Sequence, residues 1–180
     1  VGATLEFGKE ARIRSCHPHL PAQRFQRREE AGPAARVEMG RDLVEEHTGL
    51  GPGDIDHLHR LAGDWLLLSD LSFADLLLWV PVKREDGQPR EYLCVAQVRP
   101  TTAPTAYQDD QVGKIVGGPE VAHLDVALTQ ERIWREGDPV WYGDTPARHE
   151  AIPVRLRDAT DLEEALSEVI AVIGRDTNLS

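Results

Sequence analysis

A chain of 180 residues, 41% of them hydrophobic and 28% charged, suits one domain with a buried core and is too short for a two-domain enzyme of the dehydrogenase or kinase type. Its 31 acidic and 20 basic residues leave a formal charge of -11, which repels a phosphate backbone and disfavours direct nucleic-acid binding. The charge is uneven: residues 1–38 hold seven basic and five acidic residues, and the rest hold 13 and 26.

Apart from alanine, the large apolar residues of 1–38 occur singly (Leu5, Phe7, Ile13, Leu20, Phe25), with neither a helical nor a strand period. This stretch is expected to be a poorly ordered arm or a non-native extension, with the native start near Met39. Its Cys16-His17-Pro18-His19 cluster offers three candidate metal ligands where a closed structural site takes four, so no metal site is assigned. No apolar run reaches the length of a signal peptide core or of a membrane span. The expectation is a cytoplasmic chain without membrane contact. Cys16 and Cys94 lie in segments of different character, so no disulfide framework is indicated.

After Met39, Asp42 to His47 is expected to form a short helix, ended by Gly49 and Gly51-Pro52-Gly53. Asp54 suits an N-cap, and Ile55, Leu58, Leu61, Ala62, Trp65, Leu66 and Leu68 follow at the spacing of one amphipathic helix. His57 and His59 are two residues apart, on different faces, and do not make the i, i+4 pair that chelates a metal. Leu76–Val82 and Tyr92–Arg99 flank the turn Asp86-Gly87-Gln88-Pro89 and predict an antiparallel hairpin. Pro81 lacks an N–H and is expected at an edge or a bulge.

Residues 100–118 read as a loop or connecting strand, and a helix is expected from Pro119 to near Gly137. Short strands follow at Pro139–Tyr142 and Glu150–Leu156. Leu162–Ile173 fits a helix, although Val169–Ile173 is also a β-branched run, and periodicity does not choose between them. Helices and hairpins interleaved without βαβ spacing predict an α+β domain with a largely antiparallel sheet.

Motifs for chemistry are scarce. There is no GxxxxGK[ST] or GxGxxG loop, and Gly117-Gly118 reads as a turn. Cys94 sits in an apolar strand, where a thiol is ordinarily an inert core residue. Asp109-Asp110 and Glu163-Glu164 are adjacent carboxylates that normally face water. Trp65, Trp79, Trp134 and Trp141 either fill the core or line a cavity for a planar ligand, the core being favoured. No catalytic constellation is present.

The residue strings carry more. Gln130–Val140, then Glu150-Ala151-Ile152-Pro153-Val154-Arg155, then Glu168–Asp176, resemble in order and spacing the second half of a GAF domain. Leu67-Leu68-Ser69-Asp70-Leu71-Ser72-Phe73-Ala74-Asp75-Leu76-Leu77-Leu78-Trp79-Val80 and Cys94–Thr105 resemble the N-terminal sensor of actinobacterial soluble GAF-PAS sensor histidine kinases, which signal to a transcription-antitermination response regulator. The resemblance runs from about Met39 to Asn178.

It implies an α+β, GAF-like domain over 39–178, with a central six-stranded antiparallel sheet flanked by helices and a strand at Val169–Ile173. It further implies a sensory domain, not itself an enzyme, whose full-length parent is an ATP-dependent protein histidine kinase. The implied partners are downstream PAS and kinase domains of the same polypeptide, a second copy in a homodimer, and a response regulator reached through the kinase. A small-molecule or nucleotide ligand would sit between the sheet and its covering segments, near Cys94, Gln97, Arg99, Thr101, Asp110 and His123; no other cofactor is assigned. Mycobacterial members carry two cysteines four residues apart here, whereas this chain has Cys94 and then Val98. The alternatives are a ligand-free dimerisation and relay module, and a small GAF-fold redox enzyme, which would need reactive cysteines.

Overall fold

The computed structural model describes residues 39–142, 144–156 and 168–180. The expected arm at 1–38, its Cys16 cluster, and Leu162, Glu163, Glu164, Ala165 and Leu166 lie outside the described residues.

The elements are α1 (Arg41–His47), α2 (Pro52–Ala62), α3 (Trp65–Ser72), β1 (Asp75–Pro81), β2 (Glu91–Val98), β3 (Ile115–Gly117), a 3-10 turn (Gly118–Val121), α4 (Ala122–Thr129), β4 (Trp134–Arg135), β5 (Val140–Tyr142), β6 (Thr145–Arg155) and β7 (Val169–Asn178). The strands form one antiparallel sheet in the order β3-β2-β1-β7-β6-β4, with β5 added against β6. Six strands thus make the main path, as the GAF resemblance implies, and β5 is a seventh. Val169–Ile173 is strand, continuing to Asn178.

Alternation of side chains along a strand sorts the core into two layers. Leu76, Leu78 and Val80 of β1 pack with Val44, Ile55, Leu58 and Trp65 from α1–α3. Leu77 and Trp79 face the other way, with Tyr92, Cys94, Val121 and Leu124. Sheet pairing slips at Leu78/Trp79, where Ala96 and Cys94 are the partners and Val95 is the extra residue of a bulge. The bulge puts both Val95 and Ala96 in the first layer, and its Val95 carbonyl accepts from Gly40 N–H at 2.8 Å, tying α1 to the sheet.

Four local expectations are corrected. Asp54 is not the N-cap of α2: Gly51 is, Pro52 opens the helix, and the Asp54 carboxylate reaches back to accept from Gly51 N–H at 2.9 Å. The single helix expected over 55–68 is two, because Gly63 N–H turns back onto Arg60 C=O and Asp64 leaves helical geometry. In the second of these helices Trp65 and Ser69 are buried while Leu66, Leu67, Leu68 and Leu71 are exposed. Pro81 lies at neither an edge strand nor the bulge; it ends central β1, past the last β1–β7 pair at Trp79↔Val172, where no neighbour needs its missing N–H. The helix expected to reach Gly137 stops at Thr129, since Glu131 takes a left-handed φ of 55° and reverses the chain into β4.

Candidate functional site

The second layer holds a half-open cavity of about 200 Å³. Its floor is Trp79 of β1, His149 of β6 and Asp176 of β7, and its cover is Tyr107 and Gln111 of the β2–β3 loop with His123 of α4. Space for the indole comes from Gly174: a Cβ there would lie 3.1 Å from Trp79 Nε1. Sequence alternation explains the floor, because Ala147, His149 and Ala151 are the buried alternate positions of β6 and leave His149 as the one long side chain among them.

Three titratable residues cross the floor in a row. Asp176 is paired with Asp75 on β1 and with His149 on β6, and all three are buried. His149 Nδ1 lies 2.6 Å from Asp176 Oδ1, and Tyr107 OH donates to Asp176 Oδ2. The Asp75 carboxyl takes the Thr105 hydroxyl and the Ala106 N–H, each at 2.6 Å. Two floor strands therefore hold the loop segment Thr105–Tyr107 through acidic side chains, and Asn178 Nδ2 adds a bond to Thr105 C=O at 2.8 Å.

The electrostatics divide the imidazoles. Burial opposes charge on His149, but the hydrogen bond and charge of Asp176, with Glu136, outweigh it and raise its pKa above 6.5. His123 is lowered, by burial first and then by the neighbouring His149; its ring lies 6.0 Å from His149 and 5.5 Å from Trp134. The site thus sets an imidazole whose surroundings favour its proton beside one whose surroundings disfavour it. Helix α4 is fixed over it by Tyr92 OH donating to Asp125 at 2.7 Å, with Arg90 at 3.3 Å.

Of the six residues expected at a ligand site, His123 lines the cavity. Gln97 reaches it indirectly, its Oε1 accepting from Gln111 N–H at 2.8 Å while its Nε2 is buried without a hydrogen bond. Cys94 lies in the apolar layer beneath, where burial drives its thiol up to about 12. Far above the ordinary thiol range, this leaves very little thiolate at neutral pH, which counts against a cysteine-based redox enzyme. Arg99 is exposed; Thr101 is exposed and bonds Asp70 through its N–H at 2.6 Å and its hydroxyl at 3.0 Å. Asp110 is exposed and accepts from Val112 N–H at 3.1 Å.

Asp75, Tyr107, Gln111, His149 and Asp176 were not singled out by their sequence context. The available signal was polar residues on the inward phase of strands: Asp75 in phase with Leu77 and Trp79, Asp176 with Val172 and Gly174. Among the described residues, no three His, Cys, Asp or Glu side chains are grouped so as to hold a metal ion.

The family model described as the GAF domain of histidine kinase PdtaS matches residues 41–180. The chain is 39% identical over 142 residues to sensor histidine kinase PdtaS of Mycolicibacterium smegmatis, covering 77% of this chain and 26% of that protein. It is 52% identical over 96 residues to sensor histidine kinase PdtaS of Mycobacterium tuberculosis (strain H37Rv), covering 53% of this chain and 18% of that protein. It therefore spans about a quarter or less of these relatives. Among solved structures, the sensor region of a sensor histidine kinase aligns with a TM-score of 0.50 at 33% identity, over 77% of this chain and 41% of that one. The antiparallel sheet, its two-sided cover and these matches agree: the chain belongs to the GAF-domain family of PdtaS sensor histidine kinases, a family of sensory domains.

Proposed function

We propose that this domain is the cytoplasmic input module of an ATP-dependent protein histidine kinase, and that a small molecule seated in the Trp79–His123–His149 cavity biases the activity of downstream PAS and kinase domains by population shift. The observation that carries this reading is the cavity itself: an indole and two imidazoles of unlike charge preference under a cover built from a loop and a helix. The kinase would pass phosphate to a response regulator, so any link to nucleic acid runs through another protein. No helix among the described residues is long and apolar enough to cross a membrane.

The test is a thermal-shift screen of small metabolites and nucleotides against the chain and its Gly174→Leu variant. A ligand at a hundred times its Kd is expected to stabilise the wild type by about 2.7 kcal/mol. The effect should vanish in Gly174→Leu, whose side chain meets the Trp79 indole from its Cβ outward and displaces it within the cavity. A panel that shifts neither protein, or both equally, removes the cavity as the sensory site.

A homodimer is the second reading, favoured by the exposed face of α3, where Leu67 and Leu71 are 64% and 68% exposed. Sedimentation equilibrium should then return twice the mass of the chain, and Leu67→Glu/Leu71→Glu should halve it. A wild type sedimenting as a monomer across the accessible concentration range would rule it out.

A further inference from the structure

The lining of the half-open cavity is one-sided in charge. Among the described residues no lysine or arginine lines it, whereas two carboxylates do, Asp176 on the floor and Glu120 at the exposed rim. The two lining imidazoles do not reverse this balance. His123 is held toward its neutral form, by burial first, and a proton on His149 offsets only one of the two carboxylates, so the lining stays net negative. The start of a helix, where exposed N–H groups favour an anion, is the remaining place for negative charge on a ligand. Here the turn that leads into α4 carries the Glu120 side chain instead. The chain outside residues 1–38 has twice as many acidic as basic residues, and its field draws cations toward such a site.

A phosphate ester entering this cavity leaves water without gaining an ammonium or guanidinium, and an unpaired buried charge is costly. Size acts in the same direction. The volume of about 200 Å³ falls short of the roughly 300–1,000 Å³ of pockets for drug-sized ligands, and a nucleotide is a ligand of that size. The aromatic residues complete the selection. Trp79, whose indole is the best of the side-chain rings for attracting a cation, lines the cavity together with Tyr107. The Tyr107 hydroxyl donates to Asp176 Oδ2, and His149 Nδ1 lies 2.6 Å from Oδ1. The carboxylate is thereby fixed in place, and each of its oxygens keeps a second lone pair for a ligand.

We propose that the cavity selects a small organic cation, an ammonium, amidinium or guanidinium carried on about a single ring or a chain of similar size, recognised by Asp176 and Glu120 with the Trp79 indole, and that it rejects phosphate esters and carboxylates. The inference rests on the proposed function in taking this cavity as the sensory site; the charge selection itself is a property of the lining.

Probes of one shape and different charge test this on the full chain: benzamidinium, benzamide and benzoate, with adenosine monophosphate as the phosphate ester. Titrations followed by NMR, with the Trp79 indole N–H as reporter, should show benzamidinium binding at least about tenfold more tightly than benzamide. Benzoate and adenosine monophosphate should leave that resonance unmoved. Glu120→Gln, an exposed substitution, should weaken benzamidinium about fivefold and leave benzamide unchanged, a contrast that loss of folding does not give. Either anion binding in the cavity as tightly as benzamidinium, no binding by any probe, or benzamidinium binding Glu120→Gln as it binds the wild type overturns the inference. A metabolite screen in which an anion stabilises the wild type but not Gly174→Leu would overturn the cation and keep the cavity as the sensory site. Benzamidinium binding at Trp79 with no metabolite shift would support the charge selection and remove the sensory role.

Discussion

Replacing Asp176 by Ala is expected to destabilise the domain by about 3–5 kcal/mol, because it removes one partner of a buried charged pair and leaves the other buried. The carboxylate serves His149 Nδ1 at 2.6 Å and the Tyr107 hydroxyl at once. Asp176→Asn keeps an acceptor for one of them and should cost less, about 1–3 kcal/mol. The pH dependence separates this account from simple loss of packing. His149 has a raised pKa through Asp176, so its stabilisation is complete below 6.5 and lost as pH climbs through its raised value. Urea unfolding on either side of that window should show the wild type weakening with rising pH and Asp176→Ala, where burial again acts on His149, losing or reversing that trend. A loss below about 0.5 kcal/mol, the range of ordinary surface substitutions, would mean that the row does not hold the floor together.

The second large effect is expected in the other layer. Trp65→Ala should destabilise by about 3–5 kcal/mol, the range for truncating a buried aromatic. Trp65 is 1% exposed and packs among the first-layer residues of α1, α2, β1 and β2. Leu71→Ala, six residues further along the same helix and 68% exposed, should change stability by no more than about 0.5 kcal/mol. Urea unfolding of the pair checks it, with an unchanged m-value confirming that the unfolded state is the same.

Much of the domain was legible before the structure. The hairpin of β1 and β2 reads directly from two apolar runs around Asp86-Gly87, and α1 from its stop at Gly49–Gly53. Strings such as Leu67–Val80 carried the family, and with it the strand at Val169–Ile173 that periodicity left open. Less was legible of the site. Cys94, Gln97, Arg99, Thr101 and Asp110 cluster in or just after β2, and a resemblance points to such a segment as a whole. The bulge at Val95 and the path of the loop then decide which members face the cavity. Of the expected residues, His123 comes to its wall, and Gln97 touches it through Gln111.

Sequence by itself determined the α+β class, the acidic balance and the family, because these depend on composition, local period and the order of strings. Tertiary structure alone decided that Asp75, Asp176 and His149 form one row. Those residues are separated by up to 101 positions in the chain, and only the pairing of β1, β7 and β6 sets them side by side. The -11 charge marked the body as acidic without showing which carboxyls it buries, since cross-strand register and the packing of the covering loop decide which of them leave water and the net count does not.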